Sequence, residues 1–207
     1  MFREQLAQLI NKQPDMAVCW EADNAADGLA AIFRHQPALA IVDITLKNSS
    51  GLELVKDLRA QGLKVPVLIL SMHAESLYAE RTLRAGANGY ITKEEASAKV
   101  MTAIRQVLSG EIYLDPRFLK GMVSRILVNP RNNVATPVER LTDRELAVFE
   151  LIGEGLGTRE IGIRLNISTP TVETYRARIK EKLGLINAAQ LHAKAAAWAC
   201  ERHAVAG

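Results

Sequence analysis

The first half of the chain alternates apolar, strand-like runs with segments whose apolar residues recur at helical spacing. Residues 39–42 and 65–70 are continuous apolar runs, which are typical of parallel strands buried on both faces. Residues 17–20 and 89–92 are shorter strand-like runs. Helical segments separate these runs, at residues 2–11, 24–35, 51–61, 74–85 and 96–108. Strands that alternate with helices of this length predict an α/β fold with a doubly wound parallel sheet.

A polar side chain ends each of three predicted strands. Asp43 follows the first long run, Ser71 follows the second, and Lys93 follows the last short run. Since open parallel sheets bind ligands outside the carboxyl ends of their strands, we expect these side chains at one edge. A carboxylate can act as a nucleophile, while a hydroxyl and an ammonium stabilise transferred phosphoryl oxygens. The trio indicates phosphoryl transfer; the alternatives are that polar residues simply end strands, or that Asp43 simply pairs with Lys93.

Three segments of this half resemble the receiver domain of bacterial two-component response regulators in their order and spacing: IVDITLKNSSG, VLILSMH and AGANGYITKEE. The resemblance implies a flavodoxin-like fold. By the same resemblance Asp43 would accept phosphate, and Lys93 would contact the phosphoryl group. Ser71 would be the switch hydroxyl and Tyr90 the rotating aromatic residue. Thr45 would offer its backbone carbonyl to a magnesium ion that Asp43 also binds.

The chain departs from the receiver pattern in two places. Lys47 stands where the family usually has proline, which loosens the loop after Asp43. Receivers also begin with an apolar strand ending in two acidic residues that hold magnesium, whereas residues 1–4 already resemble the first helix. A sheet without that central strand has unpaired backbone groups, so we favour a start recorded too far downstream. The alternative is a degenerate receiver, in which Asp43 alone is a weak magnesium site.

Residues 141–185 form a pattern of three short helices separated by two tight breaks. Thr142 and Glu145 make a capping-box pattern at the start of the first helix, residues 143–154. Thr158 is the predicted cap of the second helix, and Ser168 is that of the third, residues 169–183. Apolar residues at helical spacing are expected to face the core of this unit: Leu146, Phe149, Leu151, Ile152, Ile161, Ile163, Leu165, Val172, Ile179 and Leu183.

The third of these helices carries cations on one side, which is typical of a helix-turn-helix that places one helix in a DNA groove. Arginine and lysine contact phosphates, whereas Glu173 and Thr174, early on the helix, are placed to read base edges. The alternative is a solvated charged surface.

The segments LTDREL and IGEGLGTREIGIRLNISTPTVETYRARIKEKLGL resemble the LuxR-type DNA-binding domain of NarL/FixJ-family response regulators. The predicted DNA-binding residues are Thr171, Glu173, Thr174, Arg176, Ala177, Arg178 and Lys182.

A final helix is predicted at residues 188–200. By the resemblance it forms a homodimer on DNA, with Leu191, Lys194, Ala195 and Trp198 as the contact. The alternative is that this helix only caps the core of its own domain.

Composition narrows the class of protein without naming it. The chain has 207 residues, 48% of them hydrophobic and 24% charged, which is ordinary for a globular protein. A net charge of +3 is compatible with nucleic acid without indicating it. Cys19 and Cys200 have no metal-ligand spacing, and no apolar run approaches the length of a membrane span. We therefore expect a cytoplasmic protein, and the absence of a GxGxxG, P-loop or nucleophile–histidine pattern argues against an enzyme.

These observations predict a receiver domain at residues 1–110, an interdomain linker at 111–138 and an all-α LuxR-type helix-turn-helix domain at 139–207. The expected function is a DNA-binding transcriptional regulator of a two-component phosphorelay. A cognate sensor histidine kinase would phosphorylate Asp43 with Mg²⁺ at the site, and a homodimer would then bind double-stranded promoter DNA. The alternative is a phosphorylation-independent regulator whose degenerate receiver serves as a dimerisation or docking platform.

Overall fold

The computed structural model describes residues 2–46, 49–72, 76–116, 118–119 and 137–206, without the side chains of residues 76 and 201–206. The chain divides into two compact units, Met1–Asn129 and Pro130–Gly207. Lys47, His73 and most of the predicted linker at residues 111–138 lie outside the described residues. In the part of the chain that is described, no helix is long and apolar enough to cross a membrane.

Three parallel strands form the sheet of the first unit: β1 (Ala40–Asp43), β4 (Val67–Ser71) and β5 (Gly89–Thr92). Their order across the sheet is β1–β4–β5. Strand β4 is central and buried along its whole length, which explains why its sequence is apolar without alternation. Two short strands, β2 (Thr45–Leu46) and β3 (Ser49–Ser50), pair antiparallel directly after β1.

The helices of the first unit follow the predicted order. They are α1 (Phe2–Asn11), α2 (Ala25–His35), α3 (Gly51–Ala60), α4 (Ser76–Arg84) and α5 (Lys93–Leu108). Helix α5 begins three residues earlier than predicted, because the Thr92 side chain caps it by accepting from the Glu95 N–H. Helix α1 packs on the core cluster to which β4, β5 and α5 contribute, through Phe2, Leu6, Leu9 and Ile10.

The strand predicted at residues 17–20 is wrong. Residues 16–22 have no regular structure, and the Val18 N–H donates to the Asn11 side chain over 2.8 Å instead of to another strand. A strand needs a neighbouring strand for its backbone groups, and among the described residues β1 pairs only with β4. Val18 still packs on the core cluster, which explains why an apolar residue stands at this position.

The second unit is all-helical in its described residues. A 3-10 turn, Pro137–Arg140, precedes four helices: α6 (Asp143–Gly153), α7 (Thr158–Leu165), α8 (Thr169–Leu183) and α9 (Ala188–Ala206). Helix α6 packs against α8 and α9, and its side chains Leu146, Phe149 and Ile152 are almost fully buried. Helices α6 and α9 approach closely, because a Cβ on Gly153 would lie 2.6 Å from the Ala195 carbonyl oxygen. That close contact fixes α9 as part of this domain's core.

Three predictions for the second unit need correction. The cap of α7 is Gly157, not Thr158, and Thr158 is the first residue of the helix. Ile163, expected in the core, is 74% exposed, because it lies on the side of α7 opposite Ile161 and Leu165. Helix α9 continues to Ala206, beyond the predicted end at residue 200.

The proposed dimer face of α9 is largely internal. Leu191 and Ala195 are fully buried, and the Trp198 ring lies 5.5 Å from the Phe149 ring, measured between centroids. Only Lys194 of the four predicted contact residues is exposed. The four-residue contact is therefore wrong as a set, and this face of the helix caps the core of its own domain.

Candidate functional site

The carboxyl end of the sheet brings Asp43 and Lys93 together, as the sequence predicted. Asp43 ends β1 and Lys93 directly follows β5, and the Lys93 ammonium donates to Asp43 Oδ2. The other oxygen, Oδ1, accepts from the Thr45 backbone N–H over 3.0 Å. The Asp43 side chain keeps 31% of its surface exposed, so the carboxylate is accessible from solvent.

Ser71 lies on β4 and Tyr90 lies on β5, and both residues are fully buried. Ser71 ends β4, one residue beyond the partner of Asp43 in the β1–β4 register. Tyr90 packs edge-to-face on Phe118 with ring centroids 5.5 Å apart, so its ring is enclosed within the domain. The structure thus places Ser71 at the predicted sheet edge and the Tyr90 ring in the interior.

Two features of this site were not found from the sequence. A Cβ on Gly51 would lie 2.2 Å from the Asp43 carbonyl oxygen, so only glycine allows the start of α3 to approach β1 this closely. The Lys93 ammonium also lies 5.6 Å from the centroid of the Phe2 ring. The capping residue Ser50 marks the start of α3 and could have drawn attention to Gly51. The sequence shows Phe2 only as an apolar residue of an amphipathic helix and does not indicate its contact with Lys93.

The described residues provide a poor set of ligands for magnesium. Among them, no group of three His, Cys, Asp or Glu side chains is placed to hold a metal ion. Asp43 supplies one carboxylate, which is already paired with Lys93, whereas Mg²⁺ requires near-octahedral oxygen coordination. Thr45 contacts the carboxylate through its N–H. These residues by themselves do not provide the coordination that the ion requires.

The second candidate site is the solvent face of α8. Glu173, Thr174, Ala177 and Arg178 are exposed, and Thr171 is half-buried. Ser168 caps the start of the helix, and its hydroxyl accepts from the Thr171 N–H. Val172 and Ile179 are buried on the opposite side, as predicted. The helix therefore presents a polar outer face that is fixed by an apolar inner face.

Arg176 does not belong to that outer face. Its side chain is only 11% exposed and donates to the Thr158 hydroxyl over 3.2 Å. It also lies 3.1 Å from Nε2 of His192, on α9. Glu173 accepts from the same Thr158 hydroxyl over 2.7 Å. Three helices therefore meet at Arg176, a role that sequence spacing alone does not reveal.

Lys182 is likewise engaged within the domain. Its ammonium donates to Glu145 Oε2 over 2.6 Å, and the Glu145 side chain is 3% exposed. The same oxygen accepts from the Thr142 N–H over 2.7 Å, which completes the predicted capping box. Burial raises the pKa of Glu145, but the hydrogen bonds from Lys182 and the Thr142 backbone outweigh burial and hold that pKa below 4.5.

Comparison with known proteins finds a matching domain family for each half of the chain. Residues 1–105 match the response regulator receiver domain, and residues 139–195 match the bacterial regulatory proteins of the luxR family. The oxygen regulatory protein NreC of Staphylococcus carnosus is 33% identical over 88% of this chain and 86% of its own length. The transcriptional regulatory protein DesR of Bacillus subtilis is 33% identical over 88% of this chain and 84% of its own.

One solved structure supports the same assignment of fold. It is a LuxR-family two-component response regulator from Aurantimonas, with a TM-score of 0.57 and 29% sequence identity. The match covers 60% of this chain and 89% of that structure.

Replacing Lys182 by methionine should destabilise the second unit by about 1–3 kcal/mol, because the buried Glu145 carboxylate would no longer have a charged partner. Urea unfolding of the full chain, followed by Trp198 fluorescence in a Trp20→Phe background, measures this effect. Lys180→Met is the matched control, since Lys180 has no such ion pair among the described residues. Equal unfolding midpoints for the two variants would show that the Lys182–Glu145 pair does not stabilise the fold.

The same pair predicts a pH dependence. Because folding lowers the pKa of Glu145, its contribution to stability is complete above the unfolded pKa of 4.5 and is lost as the pH falls through the folded pKa. Glu145→Gln keeps a capping-box side chain without a titrating group. Between about pH 5.5 and 3.5 this variant should lose less of its Trp198-detected stability than the wild type. Parallel stability curves for the two proteins would contradict the prediction.

Proposed function

The chain belongs to the NarL/FixJ family of two-component response regulators, and from this premise we propose that phosphorylation of Asp43 controls its binding to promoter DNA. Members of the family are transcriptional regulators in which a receiver domain is joined to a LuxR-type DNA-binding domain. We further propose that residues 1–110 act as the receiver, 111–138 as the linker and 139–207 as the DNA-binding domain.

The observation that carries the first half of the proposal is the Asp43–Lys93 pair at the carboxyl edge of the sheet. A carboxylate oxygen of Asp43 attacks the phosphorus of a phosphohistidine on a cognate sensor kinase. The bond between phosphorus and the histidine nitrogen breaks, and the phosphoryl group stays on Asp43. Lys93 then neutralises phosphoryl oxygens where it had neutralised the carboxylate. The charge at this edge changes by about one negative unit, since a phosphoryl group with a charge near −2 replaces one carboxylate charge.

The proposed readout of that change is repacking of the two buried side chains beside it. Ser71 ends the neighbouring strand and is positioned to follow the new oxygens. Tyr90 lies on the strand that leads to Lys93, so a shift of Lys93 acts directly on β5. A few kcal/mol of differential interaction is enough to move such a two-state equilibrium. Receiver domains commonly bind Mg²⁺, but Asp43, which is already paired with Lys93, does not by itself supply the coordination that the ion requires.

The second half of the proposal is that α8 is the recognition helix. Glu173 and Thr174 are exposed early on the helix, where base edges are read in such domains. Arg178 is exposed farther along and is suited to a phosphate contact. We propose that two copies bind adjacent half-sites through α9. Since Leu191 and Ala195 are internal, the dimer contact uses the opposite side of α9, where Ala189, Ala193 and Ala197 are exposed.

Phosphoryl transfer should depend on Asp43. Incubation of the full chain with acetyl phosphate and Mg²⁺ should add a single phosphoryl group, and Asp43→Asn should abolish it, because an amide is not a nucleophile for phosphorus. Intact-mass spectrometry and hydroxylamine sensitivity of the product measure the acyl phosphate. Asp57→Asn, which removes an exposed carboxylate from α3, is the control and should be labelled like the wild type. Labelling that survives in Asp43→Asn, or none in the wild type, would reject phosphorylation control at this residue.

DNA binding should depend on Arg178 through charge alone. Arg178→Glu should weaken binding to all duplexes and flatten the dependence of log K on log salt by about 0.9 for each phosphate that the protein no longer neutralises. Fluorescence anisotropy at several salt concentrations measures the slope. Lys64→Glu makes the same charge change on the exposed surface of the first unit and should leave the slope unchanged. If both variants behaved alike, α8 would not be the DNA-contacting helix.

A further inference from the structure

We infer that Arg176 and His192 are positioning residues that hold the Glu173 carboxylate for reading a base, and that Arg176 is not a phosphate ligand. This inference rests on the proposed DNA binding by α8 and assigns the chemistry of its specificity. It departs from the residue pattern of the helix, in which Arg176 would count among the cations that contact the DNA backbone.

The Arg176 side chain is poorly exposed to solvent. The Arg176 side chain is 11% exposed, whereas the Glu173 side chain, one turn earlier on the same helix, is 58% exposed. Arg178, two residues later, is also exposed. A phosphate contact requires a guanidinium that reaches out of the domain. Arg176 would have to give up its hydrogen bonds to two other helices to do so.

Hydrogen bonds of fixed direction join Arg176 to Glu173 through the Thr158 hydroxyl. A guanidinium only donates, so the Thr158 oxygen accepts from Arg176 Nη1 over 3.2 Å. The Thr158 hydroxyl then donates its hydrogen to Glu173 Oε1 over 2.7 Å. By the same rule His192 Nε2 is the acceptor in its 3.1 Å contact with Arg176 Nη2. The bonds form one directed network, His192–Arg176–Thr158–Glu173, across α7, α8 and α9.

The network orients Glu173 without blocking it. Oε1 accepts from Thr158 and lies 3.8 Å from Arg176 Nε, and in the described part of the chain Oε2 has no protein partner. A glutamate fixed in this way loses little conformational freedom when it meets DNA. A carboxylate oxygen accepts hydrogen bonds, and cytosine N4 is the donor that pairs with Glu in the major groove. The network therefore predicts a preference for cytosine at one position of each half-site.

A lysine cannot replace Arg176 in this network. The guanidinium uses Nη1 for Thr158 and Nη2 for His192, and its Nε faces Glu173. A single ammonium on a flexible stem does not present three donors in a fixed plane. The bridging hydroxyl of Thr158 is equally specific, since valine has the same shape but no donor. Because the network needs a guanidinium at position 176 and a hydroxyl at position 158, its role can be distinguished from an effect of charge alone.

The experiment compares Arg176→Gln with Arg178→Gln in the full-length protein. Each variant selects from a duplex library with a randomised central segment, and the enriched duplex is then used to measure the salt dependence of binding. Arg176→Gln should lower discrimination at the cytosine position by about tenfold and leave the salt slope unchanged. Arg178→Gln should keep the base preference and reduce the slope by about 0.9. A reduced slope with unchanged base preference in Arg176→Gln would overturn the inference.

Two further variants keep the test valid if Arg176→Gln folds poorly. Thr158→Val changes no charge and should reproduce the loss of cytosine preference, while Arg176→Lys should fail to restore it. Thr158→Val with wild-type base preference would also overturn the inference. If the wild-type protein enriches no sequence at all, the proposed DNA-binding function fails. If it enriches a motif and Arg178→Gln lowers the slope, that function stands whatever Arg176→Gln does.

Discussion

The structure of the first unit depends on the pairing of β4 with a parallel strand on each side. Parallel registers of β4 with β1 and with β5 bring the ends of all three strands to one edge. Because both faces of such a sheet must be covered, the strands are apolar until they end, and polar groups can only collect at that edge. Asp43 and Lys93 are 50 residues apart in sequence and meet there through strand pairing alone. The contact between this carboxylate and this ammonium is thus a consequence of backbone pairing between the strands.

In the second unit, cations that look available for DNA are partly used to hold the domain together. Lys182 pairs with the nearly buried Glu145, which links the end of α8 to the cap of α6. Arg176 links α8 to α7 and α9. Arg178 is left as an exposed arginine of α8. The number of arginines and lysines in the sequence of α8 therefore overstates the charge that this helix can offer to phosphates. The burial of each side chain has to be known before a phosphate contact can be assigned to it.

The sequence predicted the fold where a local pattern had one structural solution. The helices α1 and α8 and the site pair Asp43–Lys93 were predictable, because helical periodicity, caps and strand ends are local signals. It failed at residues 17–20, where an apolar run needs a partner strand, and at Ile163, where periodicity does not say which side of α7 is covered. Partners that lie far apart in sequence, such as Arg176 and His192, leave no signal in local spacing.

The internal packing of α9 has a consequence for how two copies would assemble. Leu191, Ala195 and Trp198 are already used inside the domain, and the opposite side of the helix offers mainly alanine. A dimer built on that side would remove little apolar surface from water, so free subunits would associate weakly. Two adjacent half-sites would raise the local concentration of one subunit around the other, in the manner of a bivalent ligand. The spacing of the operator, more than the protein surface, would then determine when a pair forms.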